Sequence, residues 1–220
     1  LLDWFRTNKG RSKTRLAINS NLGTQVDIDR LFNSVDTPID LYTSNESIGL
    51  HAEYIRDGLQ WETWHNNMVK LAKSNKLHGL HVMCTTNALC LDSLPQFLDY
   101  LVESKKEFGK DFPNFTLNIL RFPSFQSPLV LPDDIRTKYK NNLINWVVKH
   151  KGYSYLHEHE RNHVLRLIDY LDVVKTPHAG AAEQAVLQQD FKSFYQQYDQ
   201  RRGKDLVKTF PSLKDWYESL

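Results

Sequence analysis

The sequence has few cysteines, no long apolar run and no large excess of charge. Its 220 residues include two cysteines, Cys84 and Cys90, too few for a disulfide framework or a complete structural zinc site. No apolar run is long enough to span a membrane, and the absence of an initial signal segment predicts a cytoplasmic location. The 28 basic and 26 acidic side chains argue against a generic binder of nucleic acid or membrane surfaces.

Several common functional motifs are also missing. The sequence has no P-loop, no G-x-G-x-x-G segment and no G-x-S-x-G elbow. Nucleotide binding through the first two motifs, and serine hydrolysis through the third, are therefore unsupported. The composition, 40% hydrophobic and 25% charged, is otherwise ordinary for a globular protein with a sizeable core.

Strand-like and helix-like patterns alternate in the first half, whereas the second half has helical patterns throughout. Strands are predicted at 15–19, 39–44, 79–86 and 115–121. Helices are predicted at 1–8, 61–75, from Asp92 onward, at 133–151, 154–174 and 181–198, and from Ser212, with a short helical turn at 31–32. Because helices separate the strands, the sheet should be parallel. We predict an α/β fold, with a partial (β/α) barrel of about four parallel strands over 1–132 and an α-helical C-terminal region over 133–220 that packs on it.

The predicted strands alternate between an apolar side and a mixed or polar side. The apolar side should pack against helices. The other side carries Asn19, Asp40, Tyr42, Ser44, His81, Met83, Thr85 and Asn118. Parallel strands that are buried on both faces usually form continuous apolar runs, so this alternation favours a curved sheet whose polar inner face encloses a ligand. The alternative is a set of buried polar side chains that bond to one another.

Polar residues also end each predicted strand. They are Asn19 to Asn21, the Thr-Ser-Asn-Glu run at 43–46, Thr85 to Asn87, and Arg121. Ligands bind at the carboxyl ends of parallel strands, and these groups suit a small polar ligand that carries hydroxyls, an amine and a carboxylate. Asn and Ser also form turns, so loop capping is the alternative interpretation of each residue.

Five stretches together resemble radical S-adenosylmethionine enzymes of the twitch-domain type. They are INSNLG at 18–23, IDLYTSNESIGLHAEYIRDG at 39–58, TTNALCLDSLPQFLDYLVE at 85–103, LNILRFPSFQSPLVLP at 117–132 and YDQRRGKDLVKTFPSLKDWY at 198–217. In that family a six-stranded partial barrel holds a [4Fe–4S] cluster and S-adenosylmethionine. The four strands here resemble its third to sixth strands. The intact enzyme would cleave the cofactor reductively and use the 5′-deoxyadenosyl radical to abstract a hydrogen atom.

The resemblance implies a set of cofactor-binding residues. Asn19 and Asn21 match the third strand where it approaches the cofactor, and Ser44 and Glu46 match a fourth-strand position that contacts its ribose or methionyl group. Arg56 matches a basic position in the segment after the fourth strand. Thr85 and Asn87 match the end of the fifth strand, and Arg121 lies near the adenine or the substrate.

The family's cluster-binding C-x3-C-x2-C motif is absent from this sequence. Three thiolates must anchor the cluster so that one iron stays open to the cofactor, and Cys84 and Cys90 cannot replace them. The first two strands are missing as well, and residues 1–8 resemble the helix that follows the second. We therefore expect an N-terminally truncated enzyme that is inactive by itself and binds no cofactor. Its substrate is unknown, with a peptide or protein as one option, and a homo-oligomer could cover the unpaired sheet edge near 15–19.

Two other interpretations remain open. The first is a non-catalytic protein that binds a small metabolite or a partner. The second is a zinc hydrolase, because His159-Glu160-x-x-His163 is a literal H-E-x-x-H with Glu183 as a distal third ligand. Against zinc, Arg161 places a cation between the ligands, and Pro177 and Gly180 interrupt the chain before Glu183. The alternative is a polar helix whose other side packs inward.

The segment Arg201-Arg202-Gly203-Lys204 has two interpretations as well. Its three cations could bind a phosphate. The alternative, a solvated helix C-terminus balanced by Asp199 and Asp205, is the interpretation that we favour.

Overall fold

Four parallel strands form one sheet whose spatial order follows the order of the chain. The structure is a computed structural model and describes residues 4, 7–8, 15–23, 38–74, 76–173 and 181–220. The strands are β1 (Ala17–Ser20), β2 (Ile39–Ser44), β3 (Leu77–Thr86) and β4 (Asn114–Ile119). They lie in the order β1-β2-β3-β4, and each neighbouring pair is parallel.

Helices connect β2 to β3 and β3 to β4, and they make up most of the described chain after β4. The described α-helices are α1 (Gly49–Ile55), α2 (Trp61–Lys73), α3 (Leu94–Phe108), α4 (Asp133–Lys149), α5 (Glu158–Leu171), α6 (Ala181–Arg202), α7 (Leu206–Thr209) and α8 (Lys214–Ser219). Over the described ranges, none of these helices combines the length and the apolar character needed to cross a membrane.

The α2 helix illustrates how the sequence positions the sheet. Trp64, Met68 and Leu71 recur at helical spacing and are fully buried, so one side of α2 faces the core. The Trp64 indole N–H donates to the Thr43 hydroxyl at 3.1 Å, which fixes α2 against β2. Glu62 in the first turn and Lys73 in the last have charges that complement the helix dipole.

The α/β class, the four parallel strands and the helical C-terminal region are confirmed. Strand β2 has the predicted bounds, whereas β3 starts two residues earlier because Leu77 already pairs with Ile39. Strand β1 covers 17–20 instead of 15–19, and β4 ends at Ile119. Of the predicted helix at 1–8, only residues 4, 7 and 8 are described, and the turn predicted at 31–32 lies outside the described residues.

The predicted helix at 154–174 starts four residues late, at Glu158. The Glu160 carboxylate accepts a hydrogen bond from the His157 backbone N–H at 3.0 Å, which caps the helix at this point. Helix α1, at 49–55, was not among the predicted elements. The division of the chain at residue 132 stays a prediction.

The two faces of the sheet differ in burial. Ile39 and Leu41 on β2, Leu80 and Val82 on β3, and Leu117 on β4 are buried in the main core. The opposite face, called the open face below, is partly or fully exposed; it consists of Asn19, Asp40, Tyr42, Ser44, His81, Met83, Thr85, Asn114, Thr116 and Asn118. The predicted alternation between an apolar and a polar side is therefore confirmed.

Helix α5 closes the outer edge of β4. The buried Glu160 carboxylate accepts a hydrogen bond from the Phe115 backbone N–H at 3.0 Å, and the Arg166 guanidinium donates to the Leu117 carbonyl. Lys105 of α3 forms a fully buried ion pair with Glu160 at 2.8 Å. Side chains thus satisfy backbone groups that an edge strand would otherwise leave unpaired.

Candidate functional site

A buried carboxylate and an arginine meet beyond the carboxyl end of β2. Glu46 is only 3% exposed, and Arg56, which ends α1, donates to its Oε2 from Nη2 at 2.6 Å and from Nε at 3.0 Å. Burial raises the pKa of Glu46, while Arg56 and a hydrogen bond to the Thr85 backbone act in the opposite direction. The structure therefore brings three predicted site residues, Glu46, Arg56 and Thr85, to one end of the sheet.

Two other predicted site residues, Asn19 and Ser44, share the open face with Thr85. Asn19 lies opposite Tyr42 in the β1–β2 pairing, and Ser44 lies opposite Met83 in the β2–β3 pairing. Thr85 lies on the same side near the end of β3. Their amide and hydroxyl groups can donate and accept hydrogen bonds, so this face offers several polar contacts to a small ligand.

Asn87 and Asn21 form local turns, as the alternative interpretation of these residues expects. Asn87 Oδ1 accepts hydrogen bonds from the backbone N–H groups of Leu89 and Cys90, both at 3.0 Å. Asn21 Oδ1 accepts one from the Gly23 N–H at 3.4 Å. Both side chains shape the loops that follow their strands.

Arg121 lies in the loop after β4. It is exposed, and its guanidinium carbon lies 5.7 Å from the centre of the Tyr170 ring of α5. Its described contact is thus with the helix at the β4 edge, whereas Glu46 and Arg56 lie beyond β2.

An aromatic pair, Tyr42 and His81, lies on the open face. The sequence pattern predicts both residues on this face, but they are not among the predicted site residues. The His81 imidazole stacks on the Tyr42 ring with centroids 4.5 Å apart and planes 19° apart. Burial lowers the pKa of His81, and the Asp40 carboxylate opposes this shift. Gly79 makes room for the imidazole, since a β-carbon there would overlap His81 Nε2. In the sequence, this pair could have been found from Gly79, which lies two positions before His81 in a strand of alternating apolar and polar residues.

The H-E-x-x-H segment has a structural role around Glu160. Glu160 is fully buried, and its oxygens accept hydrogen bonds from Lys105 and from two backbone N–H groups. His159 is exposed, and His163 Nδ1 lies 3.0 Å from Arg166 Nη2. Glu183 is exposed in the first turn of α6. In the described parts of the chain, no three His, Cys, Asp or Glu side chains are grouped closely enough to hold a metal ion.

The two cysteines are buried free thiols. Burial raises the pKa of both, and the nearby Glu46 carboxylate adds to the shift. Cys90 Sγ also donates to the Asn87 carbonyl at 3.2 Å. Two cysteines are too few to hold a [4Fe–4S] cluster, which needs more thiolate ligands than this chain has.

A cavity of about 460 Å³ lies away from the open face. It is lined by Leu50, Glu53, Tyr54, Gly203, Lys204, Asp205, Lys208 and Thr209. No predicted cofactor-binding residue borders it. The candidate site is therefore the open face together with the Glu46–Arg56 pair.

Comparison with known proteins gives no relative for this chain. No family model matches it, and neither a curated protein nor a solved structure matches it.

Proposed function

We propose that the chain is the C-terminal part of a radical S-adenosylmethionine enzyme, and that its open face is half of the inner wall of a partial barrel. The observation that carries this proposal is the polar, partly exposed face of a parallel sheet whose described strands follow chain order. A packed α/β sheet covers both faces with helices. A barrel half instead keeps one polar face free for a ligand.

The two sheet edges support the same arrangement. Side chains of α5 occupy backbone groups at the outer edge of β4. Further strands would consequently pair with β1, and the resemblance to the family places the two missing strands on that side.

The residues of the open face fit the polar parts of S-adenosylmethionine. Ser44 and Thr85 offer hydroxyls for its ribose or amino-acid groups, and Asn19 offers an amide. Arg56 has a side chain that is 28% exposed while it pairs with Glu46, so its cation lies where it can attract a ligand carboxylate. These residues would orient the ligand, whereas the cofactor supplies the radical chemistry.

The cluster does not fit this chain, because its two buried cysteines are fewer than the thiolates that a cluster needs. The proposal therefore places the cluster ligands on a segment outside these 220 residues. We expect the chain alone to bind S-adenosylmethionine weakly and to leave it intact.

The test is to express the complete reading frame that contains this chain, under anaerobic conditions. The proposal expects a C-x3-C-x2-C segment upstream, about four iron atoms per protein, and formation of 5′-deoxyadenosine. Thr85→Ala should weaken S-adenosylmethionine binding about fivefold, as expected for a lost hydrogen bond. The matched control is Thr137→Ala on the exposed side of α4, which should bind normally. A complete frame without that cysteine motif, or an iron-free protein, would contradict the proposal.

A metabolite-binding protein without a cluster is the second candidate, and the Tyr42–His81 ring pair favours it. Stacked rings on an exposed polar face can hold a planar ligand without any metal. The discriminating measurement is NMR titration of the 220-residue chain with adenine-containing and other planar metabolites. Tight binding that shifts the Tyr42 and His81 signals would favour this candidate, and the absence of tight binding would favour the first.

A further inference from the structure

The last turn of α1 is held by residues that lie far along the chain. Lys204 Nζ donates to the Glu53 carbonyl at 2.7 Å and to the Tyr54 carbonyl at 3.3 Å. The Tyr198 hydroxyl donates to the same Tyr54 carbonyl at 2.7 Å. The final carbonyls of a helix lack intrahelical partners, and a lysine at this end also complements the helix dipole. Residues near 200 therefore cap α1.

Asp199 holds the side chain of the same turn. Its Oδ1 accepts a hydrogen bond from the Tyr54 hydroxyl at 2.6 Å, and its Oδ2 accepts one from the Leu206 backbone N–H at 2.8 Å. One carboxylate thus ties Tyr54 to the bend between α6 and α7. Burial and this carboxylate together raise the pKa of Tyr54, so the phenol stays a donor at neutral pH.

Asp57, just beyond α1, is held by the same segment. Arg202 Nη1 lies 2.6 Å from Asp57 Oδ2, and Lys204 Nζ lies 2.9 Å from Asp57 Oδ1. The hydrogen bond from Lys204 is the main reason that the pKa of Asp57 is lowered. Two cations of the 201–204 motif thus reach this region: Lys204 contacts α1 and Asp57, and Arg202 contacts Asp57.

Arg56 lies in the chain between Tyr54 and Asp57, which are both held by residues 198–204. Its backbone N–H donates to the Ala52 carbonyl, while its guanidinium gives two hydrogen bonds to one Glu46 oxygen. Two donors can reach one oxygen only over a narrow range of backbone positions. A change in the last turn of α1 should therefore disturb this pair.

We infer that residues 198–206 position Arg56 against Glu46. Lys204 and Asp199 are the main positioning residues, and neither contacts the Glu46 side chain. The consequence for ligand binding rests on the proposed function, whereas the positioning itself does not. Within the 201–204 motif, Lys204 therefore acts on the Glu46–Arg56 pair through α1.

The test compares two substitutions, Lys204→Met and Arg201→Met, that each remove one positive charge. Lys204→Met removes the cap of α1, whereas Arg201→Met, the control, removes an exposed cation that donates to Gln197 within α6. The readout is the rate at which the Arg56 Nε–H proton exchanges with water in the ¹⁵N-labelled chain. The signal is assigned by its loss in Arg56→Lys.

We expect Lys204→Met to accelerate this exchange about tenfold, the effect of losing hydrogen bonds to a charged group. The control should match the wild type. Tyr198→Phe, which removes one hydroxyl, is the milder second variant and keeps the test valid where Lys204→Met fails to fold. Unchanged Arg56 exchange in folded Lys204→Met or in Tyr198→Phe would overturn the inference.

S-adenosylmethionine binding to the complete protein separates the two proposals. We expect Lys204→Met to weaken this binding and Arg201→Met to leave it unchanged. If the wild type binds no S-adenosylmethionine but Arg56 exchange responds to Lys204→Met, the proposed function fails and the positioning holds. If the wild type binds it and Arg56 exchange does not respond, the positioning fails and the proposed function holds.

Discussion

The imidazole of His81 lies against the ring of Tyr42, with centroids 4.5 Å apart, on the open face of the sheet. The pairing places these residues side by side on β2 and β3. Gly79 lies two residues before His81 on the same face, opposite Asp40. The absence of a side chain at Gly79 allows the imidazole to lie close to the backbone.

Gly79→Ala should displace the His81 ring. The new β-carbon would overlap His81 Nε2 and lie 3.0 Å from Asp40 Oδ1. Because the overlapping atom is the tip of a side chain, we expect a loss of about 1 kcal/mol in the free energy of unfolding, the cost of a poor rotamer. The pKa of His81 should rise toward its usual value as the ring gains solvent. Urea unfolding and NMR titration of His81 measure the two effects.

The control for this substitution is a double-mutant cycle with His81→Ala. Without the imidazole, Gly79→Ala should cost little or stabilise the strand, because alanine restricts the unfolded chain. An equal loss in both backgrounds would show that His81 is not the obstacle.

The buried Lys105–Glu160 pair should be sensitive to loss of one partner. Glu160→Gln leaves the Lys105 ammonium uncompensated in the core, and both side chains are 0% exposed. We expect a loss of about 3–5 kcal/mol in the free energy of unfolding. Lys105→Met combined with Glu160→Gln should cost less, because no buried charge remains. Urea unfolding checks both.

The matched comparison is the exposed pair of Lys73 and Glu107, whose side chains are each 60% exposed. Glu107→Gln should change the free energy of unfolding by no more than about 0.5 kcal/mol. Equal losses for Glu107→Gln and Glu160→Gln would contradict the role of burial.

Glu46 should make stability depend on pH in a defined direction. Its pKa is raised above the usual 4.5 by burial, so the folded chain holds this proton to a higher pH than the unfolded chain. The stabilising contribution is therefore complete below pH 4.5 and is lost as the pH rises through the folded pKa. Relative to Glu46→Gln, the wild type should become less stable as the pH increases across this window. Urea unfolding of both proteins at several pH values measures the difference, and a difference that grows in favour of the wild type would contradict the raised pKa.

His159 and His163 should not hold zinc with Glu160. The Glu160 carboxylate is occupied by Lys105 and backbone donors, so we expect less than stoichiometric zinc in the purified chain and no change in melting temperature with chelator. His159→Ala should melt as the wild type does, since this side chain is exposed. Stoichiometric zinc that disappears in His159→Ala would instead restore the hydrolase interpretation.

Local pattern was enough to predict the sheet. Alternating apolar residues predict β2 and the side of each strand that is buried, because side chains of successive strand residues point to opposite faces. The spacing of Trp64, Met68 and Leu71 predicts α2 in the same way. In these segments the deciding interactions lie within a few residues.

Interactions between distant residues were not accessible from the pattern. Helix α1 has only seven residues, too few for a helical period, and its end depends on contacts with residues 198–204. The H-E-x-x-H motif suggests a metal, but Glu160 binds Lys105, which lies 55 residues earlier. The family resemblance implied Glu46 and Arg56 as separate contacts and did not predict that they pair with each other.

The cap on α1 also orders events during protein synthesis. Tyr54 and Asp199 are 145 residues apart, so a ribosome adding about 5–20 residues per second needs about 7–29 seconds to reach the second partner. Strands β3 and β4 are made within that interval, so the sheet can form before Asp199 is available, whereas Arg56 lacks the contacts that hold its turn. The Glu46–Arg56 pair should therefore be among the last parts of the nascent chain to reach its final arrangement.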